Sequence, residues 1–345
     1  MSAHDDRALE TLFLPFAHGD LTWPAEGGAL FLRARDGWPL RSSPRPGLVC
    51  VQDFRPDHDA LARAGLTVRG ADEVDGPWPL VLVLPPRQRD EARALFAHAL
   101  DRLAPGGVLV ACMENDDGAK SGEADLRRLA GLDGGFSKHH CRVFWTRGGA
   151  RDEALMAEWR VADAPRIAVA GRFHSRPGVF AWDRIDAASA LLAAHLPDDL
   201  CGHAADLGAG WGYLADALLA RCPGITALDL FEADARALAL ARLNLAPHAD
   251  RVPLGFHWHD VTRGLPGTYD VIVSNPPFHT TQRAARPEIG QAFIRAAADA
   301  LRRRGRLWLV ANRHLPYEQV LGAHFGQVRT VAQANGFKVV EAVKA

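Results

Sequence analysis

The chain has 345 residues, of which 48% are apolar and 23% charged, and its formal net charge is −1. This composition excludes a disordered or collagen-like chain, and the length suits about two domains. No apolar run approaches the roughly 20 residues of a membrane helix, and the first residues lack the basic and apolar regions of a secretory signal.

Charge and cysteine content limit the expected partners and compartment. Residues 1–165 carry 20 Lys and Arg against 25 Asp and Glu, whereas residues 166–345 carry 20 against 16. Only the second half therefore has the positive surplus that favours an anionic partner. The five cysteines are widely spaced without a Cys-x-x-Cys pair, which predicts a reducing, cytoplasmic compartment and no metal site.

The first half contains one clear strand–helix–strand pattern. An apolar run at Leu80–Leu84 predicts a buried strand, which Pro85-Pro86 ends. A helical pattern at Glu91–Leu103 and a second apolar run at Val108–Cys112 follow. This order predicts a βαβ unit with parallel strands.

The second half repeats the alternation over a longer stretch. Short apolar runs alternate with segments of helical spacing, which predicts an α/β fold with a parallel sheet covered on both faces. The expected strands are His203–Leu207, Ile225–Leu230, Tyr269–Ser274 and Arg306–Ala311, and the expected helices are Tyr213–Arg221, Ala233–Leu245 and Glu288–Arg303.

The two halves resemble each other in their order of elements. Strand, Pro-Pro, helix, glycine turn and strand occur around Pro85-Pro86 and again around Pro276-Pro277. We interpret this repetition as a diverged internal duplication. The expected domains are residues 1–160 and residues 166–345, two tandem Rossmann-like units.

A glycine-rich turn is the first candidate site. Asp206 precedes Gly208, Gly210 and Gly212 where a predicted strand gives way to a helix. Glycines permit a tight turn and close approach of the backbone to a ligand. A dinucleotide fingerprint needs G-x-G-x-x-G/A, and its last position falls on Tyr213, which does not fit. An acid followed by G-x-G-x-G favours S-adenosylmethionine, whose ammonium group the acid can face.

Two further acids follow the next strands. Glu232 ends the strand after the glycine turn, where a carboxylate can accept both ribose hydroxyls of a cofactor. Asp229 is a competing ribose ligand, and Glu232 is preferred because it lies at the carboxyl end of the strand. Asp260 ends a further strand, where it can accept a hydrogen bond from the adenine amino group. Three acids at successive strand ends indicate a site more strongly than one acid does.

The most specific motif is the one expected to carry the chemistry. Tyr269–Ser274 runs directly into Asn275-Pro276-Pro277-Phe278. The prolines remove N–H donors and fix φ, so carbonyls point into the cleft. The side-chain oxygen of Asn275 and the carbonyl of Pro276 can accept from one planar amino group, and Phe278 can stack on the ring that carries it. Asn275, Pro276 and Phe278 are the predicted catalytic residues, and Asn275 is expected to contact the cofactor as well.

With these motifs, residues 172–345 resemble class I S-adenosylmethionine-dependent methyltransferases. The whole chain resembles the RsmC family, ribosomal RNA guanine-N2 methyltransferases with an N-P-P-F motif. The segments Arg176–Phe180 and Ile185–Ser189 match that family's lead-in to the glycine turn, although Ala188 stands where a glycine is expected. The resemblance implies methylation of a guanine of 16S rRNA in the small ribosomal subunit. It also implies two tandem methyltransferase-like domains, of which only the second is catalytic.

The first domain departs from the pattern at the expected site. No glycine-rich turn follows Val49–Val51, Leu84 stands in place of Asn275, and Arg87 stands in place of Phe278. The resemblance therefore implies that this domain has lost cofactor binding. It is expected to assist the folding of the catalytic half or to position the RNA.

Other functions remain open on the sequence alone. A 23S rRNA guanine-N2 methyltransferase has a similar plan, and adenine-N6 or glutamine-N5 methyltransferases use the same Asn-Pro-Pro arrangement, more often with Tyr in place of Phe278. A non-catalytic RNA-binding protein would not need an intact glycine turn. Arg283 and Arg286 are candidates for RNA contacts, while Arg302–Arg304 are expected only to end a helix. We expect direct methyl transfer by a monomer, without a metal and without a clear general base.

Overall fold

A computed structural model describes residues 6–277 and 287–345 of the chain. The chain forms two compact units, Met1–Ala164 and Pro165–Ala345. Each unit contains one seven-stranded sheet, and the second unit has an additional two-stranded hairpin. Phe278 and the neighbouring Arg283 and Arg286 lie outside the described residues.

The first unit alternates strands and helices around its sheet. Its strands are β1 Ala29–Leu32, β2 Leu48–Val51, β3 Thr67–Arg69, β4 Trp78–Val83, β5 Leu103–Glu114, β6 Gly134–Lys138 and β7 Cys141–Thr146. Its helices are α1 Arg7–His18, α2 Trp38–Arg41, α3 Arg55–Arg63, α4 Arg89–Asp101, α5 Ala119–Ala130 and α6 Glu153–Arg160.

The second unit begins with a hairpin and then repeats the alternation. Its strands are β8 Arg166–Val169, β9 Phe173–Ser175, β10 Cys201–Leu207, β11 Gly224–Glu232, β12 Leu254–Trp258, β13 Tyr269–Ser274, β14 Leu301–Asn312, β15 Gln327–Ala334 and β16 Phe337–Val343. Its helices are α7 Ala187–His195, α8 Tyr213–Arg221, α9 Ala235–Leu245, α10 Pro287–Ala300 and α11 Glu318–His324.

The two large sheets have the same strand order. The first runs β3-β2-β1-β4-β5-β7-β6, and the second runs β12-β11-β10-β13-β14-β16-β15. Numbered within its own unit, each sheet reads 3-2-1-4-5-7-6. In each sheet the first five strands pair in parallel, and the last two pair antiparallel. The predicted α/β fold and internal duplication are confirmed.

The second sheet is buried on both faces because its strands alternate apolar side chains between two cores. In β13, Val271 and Val273 face one core and Ile272 faces the other. Helices α7, α8 and α9 cover the first face, and α10 and α11 cover the second. The carboxyl ends of β10, β11, β12 and β13 consequently meet at one edge, which is where parallel α/β sheets bind their ligands.

Several predicted boundaries need correction. The helix predicted at Glu288–Arg303 ends at Ala300, because Leu301 already pairs with Tyr269 as the first residue of β14. Arg302–Arg304 therefore lie in the strand and not at a helix end, and Arg302 Nη1 donates to Asp270 Oδ2 at 2.7 Å. The helix predicted from Ala233 begins at Ala235, since Asp234 caps it.

The position of Val49–Val51 also needs correction. The sequence comparison treats this segment as the counterpart of β10, but it belongs to β2, the counterpart of β11. The four-residue strand β1 occupies the central position beside β4, as β10 does beside β13. The segment that replaces the glycine turn in the first unit is therefore Arg33–Gly37.

Candidate cofactor and acceptor site

The glycine turn joins β10 to α8 at the carboxyl edge of the second sheet. Gly208 and Gly212 have φ values of 71° and 94°, a region that favours glycine. The N–H groups of Gly208 and Ala209 both donate to the carbonyl of Phe231, at 2.9 and 3.1 Å, which holds the turn against β11. A Cβ added to Gly208 would lie 3.3 Å from Phe293, so the turn is also closely packed.

Asp206 is the acid in front of this turn, and it is fully buried. Neither of its carboxylate oxygens has a hydrogen-bond partner within residues 6–277 and 287–345. Burial, followed by repulsion from Glu232, raises the pKa of Asp206 to about 8, and the nearby Ala215 N–H offsets only part of this rise. A buried carboxyl group without partners is costly unless a ligand supplies a donor or a positive charge.

Glu232 ends β11 beside the same turn. Its Oε2 accepts from the Gly210 N–H at 2.7 Å, and its Oε1 accepts from the Asp234 N–H at 2.8 Å. Burial raises the pKa of Glu232 to about 6 despite these N–H groups. Each carboxylate oxygen has further acceptor capacity, so the group can also receive hydroxyl donors.

Asp229, the competing ribose ligand, is already engaged elsewhere. Its carboxylate accepts from His203 Nε2 at 3.0 Å, His257 Nε2 at 3.1 Å and the Tyr269 hydroxyl at 3.1 Å, with the donor tautomer assigned to each histidine. Burial and the Asp229 charge raise the pKa of Tyr269, which keeps its hydroxyl a donor. Asp229 lies within β11 while Glu232 lies at its end, so the geometry favours Glu232 as the hydroxyl acceptor.

Asp260 lies after β12, one strand further along the edge. Its Oδ1 accepts from the Thr262 N–H at 3.0 Å and the Thr262 hydroxyl at 2.6 Å, which caps a short 3-10 turn. The His259 N–H donates to the Glu232 carbonyl at 2.9 Å and brings the ends of β11 and β12 together. Asp260 therefore lies close in the fold to Glu232, with Oδ1 committed to the local cap.

Asn275 lies at the carboxyl end of β13, beside the glycine turn. The Ser274 hydroxyl donates to the Leu207 carbonyl at 2.8 Å, which fixes the ends of β13 and β10 side by side. The Asn275 Nδ2 donates to Asp186 Oδ2 at 3.0 Å and to Ser189 Oγ at 2.8 Å. Asn275 Oδ1 is buried and has no hydrogen-bond partner in the described part of the chain.

The structure thus brings together the glycine turn, Glu232, Asp260 and Asn275-Pro276 at one sheet edge; Pro276 is buried there and Pro277 exposed. The predicted stacking role of Phe278 lies outside the described residues. Sequence reasoning did not assign Asp186 and Ser189 to the site, because they lie 89 and 86 positions from Asn275. Their only local signal was the capping pattern at the start of α7, where Asp186 accepts from the Ser189 N–H.

The unpaired groups match one kind of ligand. A buried carboxyl without a partner among the described residues, a second carboxylate at a neighbouring strand end and a glycine-rich turn fit a cationic nucleoside such as S-adenosylmethionine. Within the described residues no group of three or more His, Cys, Asp or Glu could hold a metal ion. No helix of the described residues is long and apolar enough to cross a membrane.

The sheet order, the antiparallel strand β16 and the glycine turn preceded by Asp206 define a Rossmann-like, S-adenosylmethionine-dependent class I methyltransferase. The family model described as "Methyltransferase small domain" matches residues 170–341, which span the second unit's site. The fold and the site therefore agree on the class of enzyme.

Relatives narrow this class to one family. "Ribosomal RNA small subunit methyltransferase C" of Shewanella baltica is 33% identical over 269 residues, covering 76% of this chain and 75% of that protein. The protein of the same name from Pseudomonas paraeruginosa is 33% identical over 281 residues, covering 77% and 80%. The chain belongs to the ribosomal RNA small subunit methyltransferase C family.

A solved structure shows the same fold. It is described as the T. thermophilus 16S rRNA N2 G1207 methyltransferase (RsmC) in complex with AdoMet and guanosine. It covers 100% of this chain and 93% of that chain, with a TM-score of 0.80 and 24% sequence identity.

Proposed function

We propose that the protein transfers a methyl group from S-adenosylmethionine to the exocyclic N2 of a guanine in 16S rRNA. Membership of the family supports the RNA substrate, because the relatives are named as methyltransferases of small-subunit ribosomal RNA. The observation that carries the proposal is Asn275 Oδ1 at the edge that holds the glycine turn, an oxygen that is buried and has no hydrogen-bond partner among residues 6–277 and 287–345. An exocyclic amino group supplies the hydrogen that this oxygen lacks.

The cofactor side of the site is proposed to consist of four regions. Asp206 faces the ammonium group, the turn with Gly208, Gly210 and Gly212 admits the cofactor backbone, and Glu232 accepts its ribose hydroxyls. Asp260 accepts from the adenine amino group through its second carboxylate oxygen. Bound S-adenosylmethionine supplies an electrophilic methyl group on a sulfonium.

On the acceptor side, Asn275 Oδ1 and the Pro276 carbonyl each accept one hydrogen of the guanine amino group. Two fixed acceptors hold the amine plane and direct the nitrogen toward the methyl donor, so the residues act mainly through orientation. The N–CH3 bond forms as the S–CH3 bond breaks, and one N–H proton leaves to solvent. A guanine inside a helix must first leave the stack, and Phe278 is proposed to stack on the displaced base.

The two units are proposed to have different roles. Residues 166–345 form the catalytic domain, and residues 1–160 form a degenerate domain that assists folding or positions the RNA. Every proposed site residue comes from the second unit, so one chain supplies a complete site and a monomer suffices. Because the proposed substrate is ribosomal RNA, we propose a cytoplasmic location for the enzyme.

Labelled S-adenosylmethionine tests this function directly. The protein is incubated with small subunits, large subunits, bare 16S rRNA and release factor, and the labelled product is identified after nuclease or protease digestion. We expect N2-methylguanosine in small subunits or 16S rRNA. Label confined to large subunits, N6-methyladenosine, or label on release factor would each replace the proposed substrate with another one.

A further inference from the structure

The amide of Asn275 is held from one side by Asp186, the N-cap of α7, and by Ser189 in the first turn of that helix. Its Nδ2 lies 3.0 Å from Asp186 Oδ2 and 2.8 Å from Ser189 Oγ. Both contacts use the amino end of the amide, so both N–H bonds of Asn275 are occupied. The carbonyl end is buried and without a partner in the described part of the chain.

The chemistry of Asp186 decides which end of the amide points inward. An ionised carboxylate only accepts hydrogen bonds, so it can contact the NH2 group of Asn275 and not its oxygen. A rotation of the amide by 180° would place Oδ1 against the carboxylate and lose that contact, whereas the Ser189 hydroxyl can accept from the NH2 group or donate to the oxygen. The observed orientation is therefore the favourable one, and it leaves Oδ1 for the acceptor amine.

The start of α7 fixes these two partners in place. Asp186 is the N-cap of α7, and the same Oδ2 that contacts Asn275 accepts from the Ser189 N–H at 2.9 Å. Ser189 is buried, with 7% of its surface exposed, so its hydroxyl has few other positions to adopt. The cap and the amide contact thus share one oxygen atom.

We propose that Asp186 and Ser189 are positioning residues for methyl transfer, Asp186 by orienting the Asn275 amide and Ser189 by holding it in place. The proposal rests on the function proposed above, because it assumes that Asn275 Oδ1 accepts the substrate amine. Neither residue touches the reacting atoms. Asp186 acts by favouring one of the two amide orientations of Asn275, and Ser189 acts by holding the amide in that position.

The test compares four variants in methyl transfer to small subunits. Ser189→Ala removes one amide acceptor and leaves the cap carboxylate. Asp186→Ala removes the other acceptor together with the cap, while Asp186→Asn keeps one oxygen that can serve both contacts. The matched control is Asp152→Ala, because Asp152 caps α6 in the first unit by accepting from the Leu155 N–H at 3.0 Å.

We expect Asp186→Ala and Ser189→Ala to lower turnover with little change in the binding of RNA or S-adenosylmethionine. We expect kcat to fall about tenfold in Asp186→Ala and about threefold in Ser189→Ala, with the KM for RNA and the Kd for S-adenosylmethionine within about twofold of wild type. Asp186→Asn should retain most of the activity, and Asp152→Ala all of it. The side-chain 15N–1H signals of Asn275, assigned by their loss in Asn275→Ala, should shift in Asp186→Ala and Ser189→Ala and stay unchanged in Asp152→Ala.

Three outcomes would overturn the proposal. The first is a kcat for Asp186→Ala equal to that of Asp152→Ala. The second is an Asp186→Asn variant as inactive as Asp186→Ala, which would assign the effect to charge. The third is unchanged Asn275 signals in both α7 variants. Failure of the underlying function would look different, because wild-type protein would then make no N2-methylguanosine or Asn275→Ala would retain full activity.

Discussion

The two seven-stranded sheets have the same strand order, but different residues lie at the carboxyl ends of their parallel strands. Leu32 of β1 pairs with Val51 and Val83, as Leu207 of β10 pairs with Phe231 and Ser274. This register makes the edges comparable position by position. Phe31 then replaces Asp206, Arg33 replaces Gly208, Arg35 replaces Gly210, Gln52 replaces Glu232 and Leu84 replaces Asn275.

One side-chain contact with the backbone is the same at the two equivalent strand ends that carry Gln52 and Glu232. Gln52 Oε1 accepts from the Phe54 N–H at 2.9 Å, as Glu232 Oε1 accepts from the Asp234 N–H at 2.8 Å. The other end differs, because Gln52 Nε2 donates to the Ala34 carbonyl at 2.7 Å. The second unit has a backbone donor, Gly210 N–H, at the corresponding place.

Arginines occupy the turn of the first unit. Arg33 Nη1 donates to Glu91 Oε1 at 2.7 Å, and Arg35 pairs with Asp6 at 2.9 Å. Two large side chains with acidic partners thus stand where the second unit has glycines. The comparison shows that the fold persists when the charge pattern and open turn required for a cofactor are lost.

The largest expected effect comes from replacing Asn275, the proposed acceptor residue of the second unit, with leucine, the residue that occupies the equivalent position 84 in the first unit. Asn275→Leu removes the amide oxygen proposed to receive the amine, and we expect kcat to fall about 100-fold. The Kd for S-adenosylmethionine, measured by calorimetry, should change far less. Unchanged turnover in this variant would remove Asn275 from the mechanism.

Glu232 at the end of β11 and Gln52 at the end of β2 occupy equivalent positions. We expect different results when each is changed to the residue type of the other. Glu232→Gln should weaken S-adenosylmethionine binding about tenfold or more, because a charged acceptor of the ribose hydroxyls is lost. Gln52→Glu should create no second binding site, since Arg33 and Arg35 remain, and calorimetry should still give one site per chain. A stoichiometry of two would contradict this account of the first edge.

The same Gln52→Glu change should also lower the free energy of unfolding by about 1–3 kcal/mol, measured by urea denaturation. A carboxylate in place of the Nε2 donor would face the Ala34 carbonyl without a hydrogen between them. Gln52→Met, which removes the donor without adding a charge, is the matched variant and should destabilise less.

A pH series should detect the titration of Asp206, the buried acid of the second edge that Phe31 replaces in the first. The pKa of Asp206 is raised above its ordinary value, so the free energy of unfolding of the ligand-free protein should fall as pH rises from about 4 to about 8. Over the range from pH 6 to pH 8, binding of S-adenosylmethionine should tighten by up to about tenfold per pH unit and release protons.

Asp206→Asn is the control for both measurements. Because the amide does not ionise, the changes in the free energy of unfolding and in the affinity for S-adenosylmethionine between pH 6 and pH 8 should be absent in this variant. Calorimetry in buffers of different ionisation enthalpy measures the proton release, and thermal melts between pH 5 and pH 8.5 measure stability. An unaltered pH profile in Asp206→Asn would assign the titration to another group.

The smallest expected effect concerns the turn itself. Gly208→Ala should destabilise the protein by about 1–2 kcal/mol, because φ is 71° and the new Cβ would lie 3.3 Å from Phe293. Gly210→Ala is the matched variant, since its φ is 55° but its Cβ would have nothing within 4 Å. Equal melting temperatures for the two variants would show that packing at Gly208 contributes little.

Local patterns in the sequence were sufficient for much of this fold. An apolar run that leads into Asn-Pro-Pro predicted β13, and apolar spacing at three and four residues predicted α8, both with their observed bounds. The acids at strand ends lie at one edge because parallel strands share a direction. The short strand β1 was missed, because four apolar residues carry too little periodicity to identify a strand.

Contacts between distant segments were beyond the sequence. The Asn275 contacts with α7 depend on the packing of α7 against the sheet, and the engagement of Asp229 by His203 and His257 depends on the register of three strands. The change from helix to strand at Leu301 is of the same kind, because pairing with Tyr269 decides it. Such choices are made by tertiary partners and not by local propensity.

The backbone at Arg33 lies in the same left-handed φ region as the glycine turn of the second unit. Its φ of 55° is a left-handed conformation that arginine adopts at a cost and glycine adopts freely. Gly208, at the equivalent position of the second unit, has a φ of 71°. The first unit therefore keeps the backbone direction of the glycine turn while carrying a side chain that the turn does not favour.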